Sequence, residues 1–401
     1  MESKASVKPM KRNWLAHALA HEKWTNIATP AVTIILALLV SSILLLLLGK
    51  NPITGFVSLI QGSGILPKAS YGGGKGPLTD IFDFLNVLAP MILSTLAFLV
   101  AYRCGLFNIG IAGQMLLGGF SATVLVGYLD ISPWLAKPLA ILVGLGVGAV
   151  VGAFAGFLKY QFNVHEVVTT VMLNYIINYV SAFFINSYYA DPVSRSMKVV
   201  STSARLTLVN TPIAGYKCNV PLGLILALIA VFLIKFMFDK TVFGFELTAV
   251  GKNIRCARYS GVNVGTKMIS AMALSGMLAG VAGVCYYCGY YNTIVPKELP
   301  GMGYTAIAVG FLGNCSPVGS IFAGILITIF TYGANYMSST LGISKEIASL
   351  ITGIVLVFSA CSGYFKYVAQ RRVNREREAE LEAEKRREEY GDESAESAKE
   401  A

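Results

Sequence analysis

Charged side chains are what this sequence has least of. Asp, Glu, Lys and Arg make up 13% of its 401 residues, against about 25% in soluble globular domains. They are nearly missing from the centres of its apolar runs: Asp83, Glu166 and Lys235 sit near run ends, where long side chains can reach polar surroundings. Ion-driven carriers generally need intramembrane carboxylates, His or Arg, so this scarcity counts against proton coupling. It does not exclude sodium sites built from backbone carbonyls. Histidine is scarce as well, and His17, His21 and His165 form no zinc motif. Seven cysteines, an odd number scattered mostly within apolar runs, make no disulfide framework. Cys285-Tyr-Tyr-Cys288 has metal-like spacing but no second pair, and free Cys behaves as a small buried hydrophobe. No G-x-x-x-x-G-K-[ST] loop occurs, since the Gly-Lys pairs at Gly49, Gly74 and Gly251 lack the preceding Gly and following Ser or Thr. The chain is therefore read as non-catalytic, binding no ATP through a Walker loop and no metal or cofactor of its own.

What is present is apolar: 55% of the residues are hydrophobic. Runs near 30–49, 82–101, 107–129, 137–158, 166–187, 220–238, 267–290, 304–315, 318–337 and 347–365 are candidates to cross a hydrocarbon core of about 30 Å, which takes roughly 20 helical residues. The pattern predicts an all-α polytopic membrane protein with about ten transmembrane segments. A β-barrel would show short alternating segments instead. The eighth run is too short to span alone, and one helix over 304–337 would be about 50 Å long. Gly313-Asn314-Cys315-Ser316-Pro317 breaks it, either as a functional break or as an ordinary tight turn. The first run lacks a small-residue cleavage site and reads as a membrane helix, not a signal peptide.

The net charge of +10 comes from basic residues flanking the apolar runs, as the positive-inside rule expects, so no nucleic-acid partner is inferred. Lys4, Lys8, Lys11, Arg12 and Lys23 place the N-terminus in the cytoplasm, and Arg371, Arg372, Arg375 and Arg377 place the C-terminus there too. Trp14, Leu15, Leu19 and Trp24 are expected to lie along the interface. The chain divides into a cytoplasmic or interfacial segment, 1–29, a transmembrane domain, 30–365, and a charged cytoplasmic tail, 366–401. The domain carries external stretches at 50–80 and 188–219 and a cytoplasmic region at 239–266. The external stretches are either a surface for an outside partner or passive linkers. The tail alternates basic and acidic residues, which supports an exposed helix with an unordered last dozen residues.

Uncharged polar residues do enter the membrane. Asn108 and Gln114 lie in the third run; Thr169, Thr170, Asn174 and Asn178 lie in the fifth, with Asn174 and Asn178 on one face. They are either inter-helix glue or the polar wall of a path for a neutral, hydroxyl-rich solute. Tyr286, Tyr287, Tyr290 and Tyr291 are either an interfacial belt or rings that stack on a base or sugar. Gly144, Gly146, Gly148, Gly152 and Gly156, with Gly276, Gly280 and Gly283, are read as small residues for close helix packing.

The most informative stretch is T-V-F-G-F-E-L-T-A-V-G-K-N-I-R-C-A-R-Y-S-G-V-N-V, Thr241 to Val264. It is too polar for lipid and lies between two apolar runs. It resembles the coupling region of permease subunits of ATP-binding-cassette importers, in the branch that carries ribose-type sugars, nucleosides and branched-chain amino acids. Three more stretches are similar to that family and follow in its order. These are G-L-F-N-I-G-I-A-G-Q-M-L-L-G-G from Gly105, E-V-V-T-T-V-M-L-N-Y-I from Glu166, and Y-T-A-I-A-V-G-F-L-G-N-C-S-P-V-G from Tyr304. The coupling region itself continues into S-G-M-L-A-G-V-A-G from Ser275. The first of the three looks most like nucleoside and simple-sugar permeases.

The resemblance implies a subunit that pairs with a second permease, forming a heterodimer. It would bind two cytoplasmic ATPase subunits, which hold ATP and Mg, and receive solute from an extracellular binding lipoprotein at a bacterial plasma membrane. It carries the coupling role onto Gly244, Ala249, Val250, Gly251, Asn253, Ala257, Gly261 and Asn263. Arg255 and Arg258 either pair with acidic residues on the ATPase or face water. Cys256 stands where the family usually has a small Ala. On the same reading Asn108, Gln114, Thr170, Asn174, Asn178 and Tyr287 are the candidates for the solute path. Nucleosides lead as cargo, then simple sugars such as ribose or galactose, then branched-chain amino acids; an ion-coupled carrier is the rival of another class.

Overall fold

A computed structural model describes residues 22–129 and 131–397. The expectations placed on Lys4, Lys8, Lys11, Arg12, Trp14, Leu15 and Leu19, and on the side chains of Lys23 and Trp24, lie outside the described residues.

The bundle is built around its least exposed apolar helix. α1 (Glu22–Leu47) and α2 (Pro52–Gly62) meet at a 117° bend. Asn51 opens α2 by accepting from Ile53 N, with Pro52 pre-set for the first turn. α3 (Pro77–Arg103) follows, and 94% of its most apolar stretch is buried. α4 (Ile111–Ala122, continuing as a wider π turn to Gly127) and α5 (Pro133–Phe162) come next. α6 (Glu166–Phe184) continues the same way to Tyr189. A hairpin of β1 (Thr207–Ile213) and β2 (Tyr216–Pro221) precedes α7 (Leu222–Lys240). Two short helices, α8 (Val242–Lys252) and α9 (Ile254–Tyr259), lead to α10 (Val264–Val284, continuing to Tyr290). The chain closes with α11 (Met302–Leu312), α12 (Pro317–Leu341), α13 (Lys345–Ala360) and α14 (Ser362–Ser397).

α3 packs against α7, α10, α11 and α12. Its Leu93, Leu96, Phe98 and Leu99 are fully buried beside Ile111 and Met115 of α4 and Ala279 and Ala282 of α10. α5 and α10 cross so closely that each presents glycine backbone to the other. A Cβ on Gly276 would strike Gly148 O, and one on Gly148 would strike Gly276 O. This is the close packing expected of the two glycine stripes, where backbone approach replaces hydrophobic drive. Two glycines depart from it: Gly283 seats on Met115 of α4 instead, and a Cβ on Gly146 would meet nothing within 4 Å, so Gly146 packs on no neighbour.

Among the described residues, seven helices are long and apolar enough to cross a membrane, or eight if the bent α1–α2 pair counts as one span. Two more are apolar but short, Ile111–Gly127 and Met302–Leu312. The expectation of about ten spans is therefore met in part. The reason is local: residues 104–110 and 291–301 are not helical, so the third run starts in irregular chain and the eighth, helical only to Leu312, is preceded by it.

Two expectations are corrected. The protein is mostly helical but not all-α, because part of the stretch 188–219 folds as an antiparallel hairpin. Ala214 and Gly215 turn it with φ of 48° and 83°, the two positive values a tight I′-type turn needs. Side chains of α3 hold it down: Thr207 Oγ1 donates to Asn86 Oδ1 at 2.8 Å, and Asn219 Nδ2 donates to Asp83 Oδ1 at 2.9 Å. The stretch 50–80 is likewise not a loop throughout, since α2 packs on α12 with Gly62 seated on Gly333. The charged tail is helical from Ser362 through Ser397.

Candidate functional site

The chain between α7 and α10 folds as two short helices because three polar side chains cap them in turn. Thr241 ends α7 by donating to Met237 O at 2.6 Å and starts α8 by accepting from Gly244 N at 3.2 Å. Asn253 is extended, φ −157° and ψ 106°, and its side chain accepts from Arg255 N and Cys256 N at 3.0 and 3.1 Å. It therefore separates α8 from α9. Asn263 opens α10 by accepting from Thr266 N at 3.2 Å. Each cap satisfies amides that a helix start leaves unpaired. Gly261 turns the chain before Asn263 at a φ of 82° in open space.

Leu247, Val250, Ala257 and Val264 bury one side of this element against Ala101, Cys104 and Leu106. The other side is open. Val242, Phe245 and Tyr259 are 73, 71 and 93% exposed, beside exposed Ile254, Arg255, Cys256 and Arg258. Arg255 and Arg258 make no ion pair among the described residues. Such an apolar and basic surface has the composition of protein-docking faces.

The ten residues expected to couple thus divide. Gly244, Val250 and Ala257 are buried and hold the element in place, with Ala249 part-buried among them; Asn253 and Asn263 cap. Arg255 and Arg258 are on the open face. Gly251 has a role of its own. A Cβ there would overlap Arg103 O and stand 2.9 Å from Cys104 C and Gly105 N, so the end of α8 rests directly on the start of segment 104–110. Val242, Phe245, Ile254 and Tyr259 are surface residues that sequence reasoning missed. Their signal was present, as apolar residues on the side of α8–α9 opposite Leu247 and Ala257.

Arg103 was also missed as part of the site. Its Nε and Nη2 donate to Cys315 O at 3.3 and 3.1 Å, and its guanidinium lies 5.2 Å from the Phe238 ring centre. It thereby ties the α8 contact to the turn between α11 and α12, where Asn314 and Cys315 both have positive φ, 53° and 48°. An open cleft of about 450 Å³ separates the two, lined by Tyr102, Arg103, Thr248, Lys252 and Asn314 among others.

The polar residues expected along a path are mostly fully buried, and they gather at the breaks. Asn108 Nδ2 donates to Gln114 Oε1 and Ser275 Oγ at 3.0 and 2.8 Å, while its Oδ1 accepts from Gly110 N. Thr170 Oγ1 accepts from Ile109 N at 3.3 Å. Asn174 accepts from Gly113 N at 2.8 Å and donates to Ile109 O at 3.0 Å. Asn178 Nδ2 donates to Lys297 O at 3.3 Å, in the second non-helical segment. These amides satisfy backbone groups that an interrupted helix leaves free. Gln114 Nε2 and Asn178 Oδ1 remain buried without a partner. Tyr287 is not with them. It is 5% exposed, edge-on to Tyr286 at 4.9 Å and packed on Gly119, so it belongs to the core.

Comparison with known proteins gives the family. Residues 80–360 match the family described as the permease component of the branched-chain amino acid transport system. The nucleoside ABC transporter permease protein NupB of Lactococcus lactis is 32% identical over 85% of this chain and 92% of its own. The guanosine ABC transporter permease protein NupP of Bacillus subtilis is 31% identical over 86% and 97%. The glucose ABC transporter permease protein TsgB13 of Haloferax volcanii is 27% identical over 86% and 89%. The chain belongs to the family of branched-chain amino acid transport system permease components, and is a non-catalytic, polytopic membrane subunit of an ATP-binding-cassette importer.

Proposed function

We propose that this subunit forms, with a second permease, the path by which a nucleoside enters a bacterial cell across the plasma membrane. ATP would be hydrolysed by separate cytoplasmic subunits seated on α8 and α9, and solute delivered by an extracellular binding lipoprotein. The cargo reading rests on the 31–32% identity with nucleoside and guanosine permeases over most of the chain. The coupling reading rests on the open face of Phe245, Tyr259, Arg255 and Arg258, joined through Gly251 to segment 104–110.

On this reading ten segments cross the membrane: seven long helices, the α1–α2 pair as one, and two composite spans, 104–127 and 291–315. Ten is the even number that two cytoplasmic termini require. The subunit performs no chemistry. A change in how the ATPases seat on α8–α9 biases the path only if the two states contact that face differently. A simple sugar is the second reading, favoured by the identity with the glucose permease.

The test is to purify the complete importer and measure ATPase activity with its binding protein and a panel of nucleosides, sugars and branched-chain amino acids. Stimulation by nucleosides is the expected result. Stimulation by sugars alone overturns the cargo, and absence of any associated ATPase overturns the coupling role.

A further inference from the structure

We propose that Tyr175, Tyr179 and Tyr304 form an aromatic wall of the solute path, on which the planar base of a nucleoside stacks near the middle of the membrane. The inference rests on the nucleoside reading and assigns residues to it.

Depth is the first observation. The helix Glu166–Tyr189 has 24 residues, about 36 Å at 1.5 Å per residue. Tyr175 and Tyr179 begin about 14 and 20 Å from its start, one on each side of its midpoint. An interfacial tyrosine belt would sit at the helix ends. Both rings are open, 54 and 61% exposed, one helical turn apart on the same face. Tyr304, three residues into α11, is 43% exposed. The Tyr175 and Tyr179 hydroxyls facing hydrocarbon at mid-depth would have no hydrogen-bond partner, which is strongly disfavoured. This face therefore turns to something polar.

The second observation is what meets here. Asn174 Nδ2 approaches Tyr304 OH at 3.5 Å while also donating to Ile109 O. Ile109 belongs to the first extended segment, and Tyr304 follows closely on the second. Both interruptions thus converge on the level of Tyr175. Extended backbone at membrane depth is tolerated where it is shielded or lines a cavity, and discontinuous helices commonly border mid-membrane solute sites.

Third, the chemistry of the face selects its occupant. Around the tyrosines, the exposed side chains of α6 at this depth are Met172, Ile176, Val180 and Phe183, none of them ionisable. A zwitterionic amino acid would be left without charged partners. A nucleoside is neutral, has a flat base that stacks on aromatic rings regardless of sequence, and carries hydroxyls that the phenols can bond.

The complete importer in proteoliposomes tests this with tritiated uridine and adenosine. Tyr175→Leu, Tyr179→Leu and Tyr304→Leu are compared with the corresponding Phe substitutions, and the second permease is followed by co-purification. The expected result is that Leu lowers uptake by about tenfold or more, as for one lost stacked base. Phe retains most uptake, and assembly and binding-protein-stimulated ATPase persist in every variant. Wild-type uptake with all three Leu variants overturns the proposal, because the face would then meet lipid. Loss of the second permease from the Leu variants also overturns it, because the face would then be a contact between permeases. The wild-type importer alone tests the cargo: failure to carry either nucleoside there removes the nucleoside reading before any variant is compared.

Discussion

Gly251→Ala is the smallest change that should separate ATP hydrolysis from transport. The added Cβ would overlap Arg103 O and lie 2.9 Å from Cys104 C and Gly105 N. All three atoms are backbone, so no rotamer can relieve the contact. Either α8 lifts or segment 104–110 retreats. Overpacking of this kind typically costs about 1–3 kcal/mol. Alanine recovers up to about 1 kcal/mol of that through better helix propensity than glycine. A net penalty of about 1–2 kcal/mol displaces the seated arrangement by roughly 5- to 30-fold. Gly146→Ala is the control, because its Cβ would meet nothing within 4 Å. In an assembled importer in lipid, Gly251→Ala should lower solute uptake per ATP hydrolysed by about that factor, and Gly146→Ala should leave it unchanged. Equal coupling ratios in the two variants would refute the claim that α8 acts through its contact with Arg103 and Gly105.

Arg103→Lys should also lower uptake per ATP, since an ammonium cannot make both donations to Cys315 O or spread over the Phe238 ring. A hydrogen bond from a charged group is worth about 1.5–3 kcal/mol, so a loss of at least tenfold is expected in the same assay. A Lys variant at wild-type coupling would remove the Arg103 link. Cys256 is exposed between Arg255 and Arg258, whereas Cys285 and Cys288 are buried. A maleimide should label Cys256 in the isolated chain and fail to label it once the ATPase is bound, with exposed Cys361 as the internal reference. Undiminished labelling of Cys256 in the complex would place the ATPase elsewhere.

Much of this architecture was legible because its causes are local. Length and apolarity make helices of α3, α5, α7, α10 and α12, since a buried or lipid-facing chain must satisfy its backbone internally. Thr241, Asn253 and Asn263 cap within three residues of themselves, so the punctuation of the coupling element lies in the sequence. The glycine stripes marked two faces for close packing for the same reason, as a helical period of small residues, though not that they pack on each other.

What the sequence could not decide depends on residues far apart in it. An apolar stretch is equally compatible with helix and with extended chain, provided something satisfies the freed amides. Residues 104–113 obtain theirs from Thr170 and Asn174, 61 positions away, and Lys297 O obtains its partner from Asn178, 119 positions away. The interrupted spans therefore become visible only in the folded bundle. The hairpin is fixed in the same way, by Asn86 and Asp83 reaching strands 121 and 136 positions on. Composition determined a polytopic helical membrane protein, and motif resemblance determined its family. Tertiary packing alone decided that most of the in-membrane amides bind backbone, that Tyr287 is core, and that aromatic side chains of α8–α9 and α6 lie open. Period and polarity name a residue's neighbours along one helix; which distant backbone comes to lie against it is settled only when the helices pack.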